Sequence, residues 1–358
     1  MNDPHEHPSR HGLGRRGFLQ SAGLLGAGVA LSESLLQARE AAPQLQLSNT
    51  GPDKIPRKPF GRTKEEVSVI GLGGYSLGDA PSLKEAIAIV HEAIDAGVNF
   101  FDNAWEYHDG KSEEWMGQAL KGRRDKVFLM TKVCTHGRDK KVALGQLEES
   151  LKRLQTDHLD LWQIHECVYD NDPERHFAKG GVIEALDEAK KAGKVRYVGF
   201  TGHKHPAIHL KMLAYDYAFD SAQMPLNAFD ATYRSFQKHV LPEVNKRGMA
   251  ALGMKSLGGN GQPIVQGVAT VDEALRYAMS LAVATTISGI DCLAVLRQNL
   301  AIARGFKPMT AEEMEALHKR CAPAAADGHL ELYKSTMKYD GDVGREQHGL
   351  PSHKALPL

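Results

Sequence analysis

An apolar run ends abruptly at a carboxylate in the stretch Phe101-Asp102-Asn103-Ala104-Trp105-Glu106-Tyr107. Residues 98–101 have the pattern of a buried strand, and the tyrosine follows Asp102 in a polar turn. Tyrosine is a weak acid at neutral pH unless a nearby cation lowers its pKa. The stretch therefore predicts half of a proton-transfer site, and the cation has to come from elsewhere in the chain.

Two later strand-like runs each carry a polar side chain at their C-terminal end. Lys132 ends the first run and His165 ends the second. In an α/β barrel the C-terminal ends of all strands share one face, and the chemistry occurs on that face. We therefore expect Asp102, Tyr107, Lys132 and His165 to converge, although they are far apart in sequence.

Strand-like and helix-like segments alternate along the chain, which is typical of parallel strands joined by crossover helices. The predicted strands span residues 67–73, 98–102, 127–133, 159–165, 195–201, 221–226, 249–255 and 284–288. Eight such units in roughly 250 residues match the size of a closed barrel. An open doubly wound sheet usually carries a Gly-x-Gly-x-x-Gly turn after its first strand, which residues 71–74 lack. We predict an α/β fold, a (β/α)8 TIM barrel, as a single domain at residues 55–321.

The chain resembles the aldo-keto reductase superfamily. The resemblance rests on residues 101–107 together with Ser112-Glu113, Thr131-Lys132 and Gln163-Ile164-His165. One of these motifs alone is weak, but four polar residues in this order, each at its own strand end, are specific. The resemblance implies an oxidoreductase that interconverts a carbonyl (aldehyde, ketone or sugar) and an alcohol by hydride transfer from a nicotinamide cofactor.

The resemblance also implies a role for each residue of the site. Tyr107 would be the general acid that protonates the carbonyl oxygen, and Lys132 would lower the pKa of Tyr107. Asp102 would keep Lys132 charged and oriented. His165 would donate a hydrogen bond to the substrate carbonyl and fix its angle. Trp105 would form a wall of the substrate pocket.

The rim around Tyr107 is unusually polar. Glu106, His108 and Asp109 lie directly beside the tyrosine. This composition favours a polar, sugar-like substrate, and plain solvation of the loop is the competing interpretation.

Cofactor contacts are implied on the later strands. They comprise Thr201, Gln223, Met254, Ser256, Leu257, Gly259, Gly289, Asp291 and Asn299. Gln223 would bind the nicotinamide carboxamide, and Ser256, Leu257 and Gly259 would approach the pyrophosphate. The chain departs from the family at Gly202, where an asparagine is usual, and at Met254, where an aromatic ring usually stacks on nicotinamide.

The adenosine end departs further. Family members that bind NADP usually place Lys or Arg just after the eighth strand, to grip the 2′-phosphate. Here Asp291 would repel a phosphate and could accept a hydrogen bond from a ribose hydroxyl instead. Asn299 matches the asparagine that contacts adenine. NADP and NAD are therefore both expected as the cofactor.

Charge and metal-ligand content exclude other classes of function. The chain has 358 residues, and its 44 Lys and Arg balance 44 Asp and Glu, so no net field attracts nucleic acid. The four cysteines form no Cys-x-x-Cys pair. His203, His205 and His209 invite a zinc interpretation, but no third acidic or Cys ligand is evident nearby. We predict no metal and a small-molecule carbonyl compound as the partner.

The N-terminus resembles a twin-arginine export signal. Arg15-Arg16 precedes Gly-Phe-Leu and a weakly apolar run at residues 22–31, which is too short to span a bilayer. We predict a signal peptide and linker at residues 1–45, recognition by the twin-arginine export machinery, a periplasmic or otherwise exported enzyme, and no stable membrane span after processing. The competing interpretation is a disordered basic tail beside a short helix. Because this route carries folded proteins, the enzyme could keep one nucleotide permanently bound.

Residues 322–358 are predicted to form a C-terminal tail with no clear period. The tail either packs over the substrate, through Tyr333, Tyr339 and His348, or is disordered. The alternative function, from another class, is a non-catalytic nicotinamide-binding regulatory or scaffold barrel. The complete set of four polar residues argues against that alternative.

Overall fold

The computed structural model describes residues 45–134, 138–230 and 232–356. Residues 1–44, which hold the predicted export signal, lie outside these ranges. Within them, no helix has both the length and the apolar character that a membrane crossing requires. The described chain from Leu45 onward belongs to one compact unit.

Eight parallel strands close into a barrel, which confirms the predicted fold class. A short antiparallel hairpin of β1 (Arg57–Pro59) and β2 (Glu66–Ser68) precedes it. The barrel strands are β3 (Ile70–Gly73), β4 (Phe100–Asp102), β5 (Phe128–Val133), β6 (Leu159–Ile164), β7 (Val195–Thr201), β8 (Ser221–Pro225), β9 (Ala250–Met254) and β10 (Thr285–Gly289). Each strand pairs with the next in sequence, and β10 closes the ring against β3.

The predicted first strand at residues 67–73 is two strands in the structure. Val69 interrupts the strand. Its N–H donates to the Pro56 carbonyl at 2.9 Å, and Ser68 Oγ donates to the Ile70 carbonyl at 2.7 Å. The first piece closes the N-terminal end of the barrel as a hairpin, and the second enters the barrel. Val67, Val69 and Ile70 continue the apolar, β-branched pattern from one strand into the next, so the sequence pattern does not separate the two strands.

Helices surround the barrel. They are α1 (Gly74–Gly78), α2 (Leu83–Asp95), α3 (Lys111–Ala119), α4 (Lys140–Leu154), α5 (Asp172–Phe177), α6 (Val182–Lys191), α7 (Pro206–Ala214), α8 (Phe236–His239), α9 (Leu241–Lys246), α10 (Gln262–Val265), α11 (Val271–Ser280), α12 (Leu293–Ala303), α13 (Ala311–Ala325), α14 (Leu332–Ser335) and α15 (Asp342–Gln347). Capping boxes start two of them, since Thr270 and Thr310 each pair with the Glu three residues later.

Alternation along the strands decides which polar groups enter the barrel. On β5, Phe128 belongs to the apolar cluster inside the barrel and Leu129 to the cluster between strands and helices. Lys132 has the same parity as Phe128 and therefore points inward. The same alternation turns Asp102 of β4 inward and brings His165, just after β6, to the same end.

The C-terminal tail is packed against the barrel. Helix α13 runs through the predicted boundary at residue 321, so the barrel and the tail are not separated there. The tail then forms α14 and α15, and it buries Tyr333, Lys334 and Arg345 almost completely. Lys334 Nζ lies 2.6 Å from Asp230 and 2.7 Å from Glu331, which ties the tail to the loop after β8.

Candidate active site

The loop that carries Tyr107 has an unusual backbone. His108 and Asp109 have positive φ angles of 53° and 56°, and Gly110 follows with 91°. Non-glycine residues in this region are strained and persist only where the surroundings hold them. Arg153 of α4 does so by donating to the Trp105 carbonyl at 2.9 Å. The loop therefore has a defined shape.

Lys132 connects the carboxylate to the phenol. Its Nζ lies 2.7 Å from Asp102 Oδ2 and 3.4 Å from the Tyr107 hydroxyl. It also donates to the Asn103 carbonyl at 2.7 Å, and the side chain is only 1% exposed. A buried ammonium with three partners is fixed in place, so the structure brings together three of the four predicted residues.

The pKa of Tyr107 moves in the direction opposite to the prediction. Burial raises this pKa well above its ordinary value of 10, and the carboxylates of Asp102 and Glu106 raise it further. The predicted net lowering of this pKa is therefore wrong for this structure, because burial and the two carboxylates outweigh the nearby ammonium of Lys132. Tyr107 therefore stays protonated, which is the form that can donate a proton.

His165, the fourth predicted residue, lies beside the phenol. Its ring centroid is 5.5 Å from that of Tyr107, and the two rings are nearly perpendicular, at 76°. Its Nδ1 is hydrogen-bonded to Glu106 Oε1. A group that binds beside this pair of rings would meet a phenol, an imidazole and the carboxylate of Glu106, which the sequence pattern assigned only to a polar rim.

A second His–Glu pair lies next to the first and was not predicted. His203 Nε2 is 3.7 Å from Glu166 Oε1, and the Gly341 N–H of the tail donates to Glu166 Oε2 at 3.0 Å. Burial opposes ionisation of Glu166, but hydrogen bonds and the charge of nearby imidazoles lower its pKa to about 2. The carboxylate is therefore ionised. Its position directly after His165 was the one sequence signal available.

Lys255 adds a second cation that sequence reasoning missed. It follows β9 with a positive φ of 58°, and its Nζ lies 5.1 Å from the ring centroid of Tyr333 and 5.5 Å from that of Tyr339. Cations are attracted to aromatic faces at such distances. Burial lowers the pKa of Lys255 to about 8. Because both rings belong to the tail, only the folded structure shows this arrangement.

Gln223 of β8 is placed to bind an amide group. Its Nε2 donates to Asp102 Oδ2 at 3.3 Å and approaches Met254 Sδ at 3.7 Å. Its Oε1 is buried and has no hydrogen-bond partner among the described residues. An acceptor in that state fits a ligand that brings an N–H donor, such as a carboxamide.

Glycines shape the surface on either side of Gln223. At Gly202, beside the buried Thr201, a Cβ would lie 2.3 Å from the Cys167 carbonyl oxygen, so an asparagine does not fit there. At Gly259, whose φ is 87°, a Cβ would lie 3.1 Å from the Tyr333 ring. Gly202 replaces the expected asparagine because the loop after β6 approaches it closely. Gly259 leaves room for Tyr333 of the tail.

The sequence comparisons identify the family. The model of the aldo/keto reductase family matches residues 69–262, which is more than half of the chain. The chain belongs to the aldo/keto reductase family. The uncharacterised oxidoreductase YqkF of Bacillus subtilis is 27% identical over 303 residues, which cover 73% of this chain and 95% of YqkF.

Solved structures of aldo-keto reductases share the fold. The holo form of AKR11C1 from Bacillus halodurans aligns with a TM-score of 0.63 at 24% identity, over 77% of this chain and 99% of that one. An aldo-keto reductase from Klebsiella pneumoniae, solved in complex with NADPH, aligns with a TM-score of 0.61 at 22% identity, over 74% and 94% of the two chains. At these identities the likeness shows the fold alone.

Trp105 is turned toward the outer helix. Its Nε1 donates to Glu149 of α4 at 2.7 Å, and the Arg153 guanidinium lies 5.3 Å from the indole centroid. These contacts attach the indole to α4. Since Glu106 is the neighbour that reaches His165, the polar pocket wall is assigned to Glu106, and a substrate contact by Trp105 stays a prediction.

The predicted pyrophosphate and adenosine residues lie around the ends of β9 and β10. Ser256 is buried and Leu257 half-buried, while Gly289 and Asp291 are exposed. Asn299 is buried and its Nδ2 donates to Ser288 Oγ at 3.0 Å. Because a side-chain amide has a second N–H and an acceptor oxygen, this bond is compatible with the predicted contact with adenine.

The three histidines that suggested zinc have separate surroundings. His203 pairs with Glu166, His205 Nδ1 accepts from the Ala207 N–H at the start of α7, and His209 Nε2 contacts the Gln223 carbonyl at 3.1 Å. Across the described ranges, no group of three or more His, Cys, Asp or Glu side chains is arranged to hold a metal ion.

Proposed function

We propose that this aldo/keto reductase is an exported, NAD(P)H-dependent reductase that converts small polar carbonyl compounds to alcohols. The observation that carries the proposal is the arrangement of Asp102, Lys132, Tyr107 and His165 at one end of the barrel. Lys132 is fixed by Asp102 within 3.4 Å of a protonated phenol, and an imidazole lies on the other side of that phenol.

Each side chain has a task that its geometry supports. A bound nicotinamide nucleotide would supply the hydride. Tyr107 would donate its proton to the carbonyl oxygen, since burial keeps the phenol protonated until a partner arrives. Lys132 would stabilise the phenolate that remains, and Asp102 would hold Lys132 in position. His165 would orient the carbonyl by a hydrogen bond.

The nucleotide itself is proposed as NADPH or NADH. The unpartnered Oε1 of Gln223 fits a carboxamide donor, which both nucleotides carry. The relative from Klebsiella pneumoniae was solved with NADPH, whereas the exposed Asp291 of this chain disfavours a 2′-phosphate. Titration of the purified protein with both reduced nucleotides decides between them. At least tenfold tighter binding of NADPH would contradict the inference from Asp291.

Replacing Tyr107 tests the proposed reaction. Tyr107→Phe should lose carbonyl reduction by about 10²–10⁴-fold, the usual contribution of general acid catalysis, and still bind nucleotide. Tyr215→Phe, at an exposed tyrosine stacked on Phe177, is the matched control and should keep full activity. The alternative, a non-catalytic scaffold barrel, predicts that the wild-type protein binds nucleotide but turns over no aldehyde, ketone or sugar.

Export is proposed from Arg15-Arg16 and the apolar run that follows them. Replacing both arginines by lysine in the full chain should retain the protein in the cytoplasm, while the unaltered chain is found in the periplasm. An exported enzyme that cannot exchange nucleotide freely would keep one molecule bound and cycle it between two substrates. Native mass spectrometry of protein from the periplasm should then show bound nucleotide, and its absence would contradict this part of the proposal.

A further inference from the structure

Glu106 lies between the two groups that would bind the reacting carbonyl. It directly precedes Tyr107 in sequence, and its Oε1 is hydrogen-bonded to His165 Nδ1. A carboxylate only accepts hydrogen bonds, so Nδ1 donates in this contact, and Nε2 can donate to a carbonyl oxygen when the ring carries a proton on both nitrogens. Glu106 is therefore connected to both the phenol, through the chain, and the imidazole, through a side-chain contact.

The second oxygen of Glu106 is unsatisfied. Oε2 is buried and has no hydrogen-bond partner among the described residues. The nearby cations have other partners, since Lys132 is bonded to Asp102 and Lys255 lies over tyrosine rings of the tail. Leaving a carboxylate oxygen without water or a donor is unfavourable. The missing donor is therefore expected from a ligand.

The position of Oε2 limits which part of a substrate can supply that donor. The carbonyl oxygen would accept hydrogen bonds from the Tyr107 hydroxyl and the His165 imidazole, whose rings are in edge-to-face contact with centroids 5.5 Å apart. Glu106 contacts the His165 ring at Nδ1, so its carboxylate lies beside the ring that would bind the carbonyl oxygen. A donor on one of the first two carbons beside the carbonyl would reach it.

A hydroxyl group suits this position better than an amine. Lys132 and Lys255 already face the carboxylates of Asp102 and Glu166, so a neutral donor meets the need of Oε2 without adding a further charge. The mouth of the site also presents an exposed aromatic ring, Tyr75, whose centroid is 5.3 Å from that of Tyr107. Neutral hydroxylated carbon chains can pack on such a face through their C–H groups and still donate to a carboxylate.

We propose that Glu106 is a specificity-determining residue that selects carbonyl compounds with a hydroxyl on one of the two carbons next to the carbonyl. Short hydroxyaldehydes, hydroxyketones and open-chain sugars form this class. Glu106 Oε1 positions His165, and Oε2 accepts the hydrogen bond of the substrate hydroxyl. The inference rests on the proposed carbonyl reduction and deepens it.

The test compares glyceraldehyde with propanal, which has the same carbon chain without hydroxyls. The wild-type enzyme should prefer glyceraldehyde in kcat/KM by about tenfold or more, the size expected for a hydrogen bond to a charged group. Glu106→Leu should reduce this ratio to within about threefold. Glu106→Leu also loses the contact that positions His165. This loss should lower kcat/KM for both aldehydes equally, so it cancels in the ratio of the two values. Glu106→Gln keeps an acceptor oxygen and should retain part of the preference.

Controls separate the possible failures. Glu148→Leu removes an exposed carboxylate on α4 and should leave the ratio unchanged. Nucleotide binding by Glu106→Leu shows that this variant is folded. If Glu106→Leu does not fold, the ratio of kcat/KM for glyceraldehyde to that for propanal is measured in Glu106→Gln instead. A wild-type enzyme that reduces both aldehydes equally, or a preference that survives in Glu106→Leu, would overturn the role of Glu106. Failure to reduce either aldehyde, or any other carbonyl compound, would instead overturn the proposed function.

Discussion

At the C-terminal ends of the barrel strands, the polar groups near β4 to β6 and those near β7 to β10 have different partners. On β4 to β6 the polar groups are partners of one another, since Lys132 bonds Asp102. After β9, Lys255 is instead held by the tail, since its Nζ lies over the rings of Tyr333 and Tyr339. The proton-transfer side is thus complete within the barrel, whereas the proposed cofactor side depends on a segment from the end of the chain. The tail can therefore influence cofactor binding without altering the acid itself.

The largest expected effect, on both stability and activity, comes from removing Lys132 from its buried pair with Asp102. Lys132→Met would leave Asp102 buried without its cation, and removing one partner of a buried pair costs about 3–5 kcal/mol in the free energy of unfolding. The variant should also lose carbonyl reduction by at least about 10²-fold, since Tyr107 loses the cation that stabilises its phenolate. Urea unfolding and steady-state kinetics measure the two losses.

The matched control removes the charge on both sides of that pair. The double variant Asp102→Asn/Lys132→Met leaves no uncompensated buried charge, so it should recover most of the lost stability and none of the activity. Recovery of activity in the double variant would show that Lys132 matters only through folding.

The next largest effect concerns the anchor of the tail. Lys334 is fully buried between Asp230 and Glu331, so Lys334→Met should lower the free energy of unfolding by about 3–5 kcal/mol. Lys319→Met, at an exposed lysine of α13, should change it by less than about 0.5 kcal/mol. Where Lys334→Met still folds, nucleotide binding should weaken more than the hydride-transfer rate at saturation. Equal losses in both would contradict the division between the two sides.

A smaller effect is expected at the adenosine end. Asp291 is exposed, so Asp291→Lys should fold normally. Exchange of a negative for a positive charge next to a 2′-phosphate should raise the ratio of NADPH to NADH affinity by about fivefold to tenfold, because exposed charge pairs contribute about 1 kcal/mol. Fluorescence titration with both nucleotides measures the ratio. An unchanged ratio would place the phosphate elsewhere.

The smallest effect is a change in pH dependence. The raised pKa of Tyr107 keeps the phenol protonated, so its ionisation should remove no activity between pH 6 and pH 9. The upper limit of this range lies about one unit below the ordinary pKa of tyrosine. Lys255, which faces Glu166, Lys132 and Asp102, is charged below its pKa of about 8 and loses that charge above it. A few-fold fall in kcat/KM near pH 8 should therefore occur in the wild type and disappear in Lys255→Met. A fall that persists in that variant would belong to another group.

Much of the proton-transfer side was predictable because strand alternation is a local property. The parity of Phe128 and Lys132 on β5 turns the lysine inward, and the same alternation applies to Asp102. The direction of the pKa shift at Tyr107 was not predictable, because it depends on burial and on how closely the ammonium approaches each partner. Glu106 was noticed only as a polar residue, since nothing in the sequence shows that it reaches His165.

The cofactor side was harder to predict because its neighbours are distant in sequence. Gly202 departs from the family pattern because the Cys167 carbonyl oxygen occupies the space of a side chain. Lys255 belongs to no motif in the sequence, and its aromatic neighbours come from a tail with no periodic pattern. Burial of Lys334 in that tail depends on Asp230, about a hundred residues earlier, and no local pattern indicates such a pairing.

Single-turnover hydride transfer tests the central claim most directly. The purified protein is saturated with NADPH or NADH, whichever binds more tightly, and mixed with an aldehyde that the wild type reduces. Tyr107→Phe should bind the nucleotide with unchanged affinity and transfer hydride at least about 10²-fold more slowly, since the variant lacks the proton that the carbonyl oxygen needs. Equal transfer rates in the two proteins would contradict the assignment of Tyr107 as the general acid.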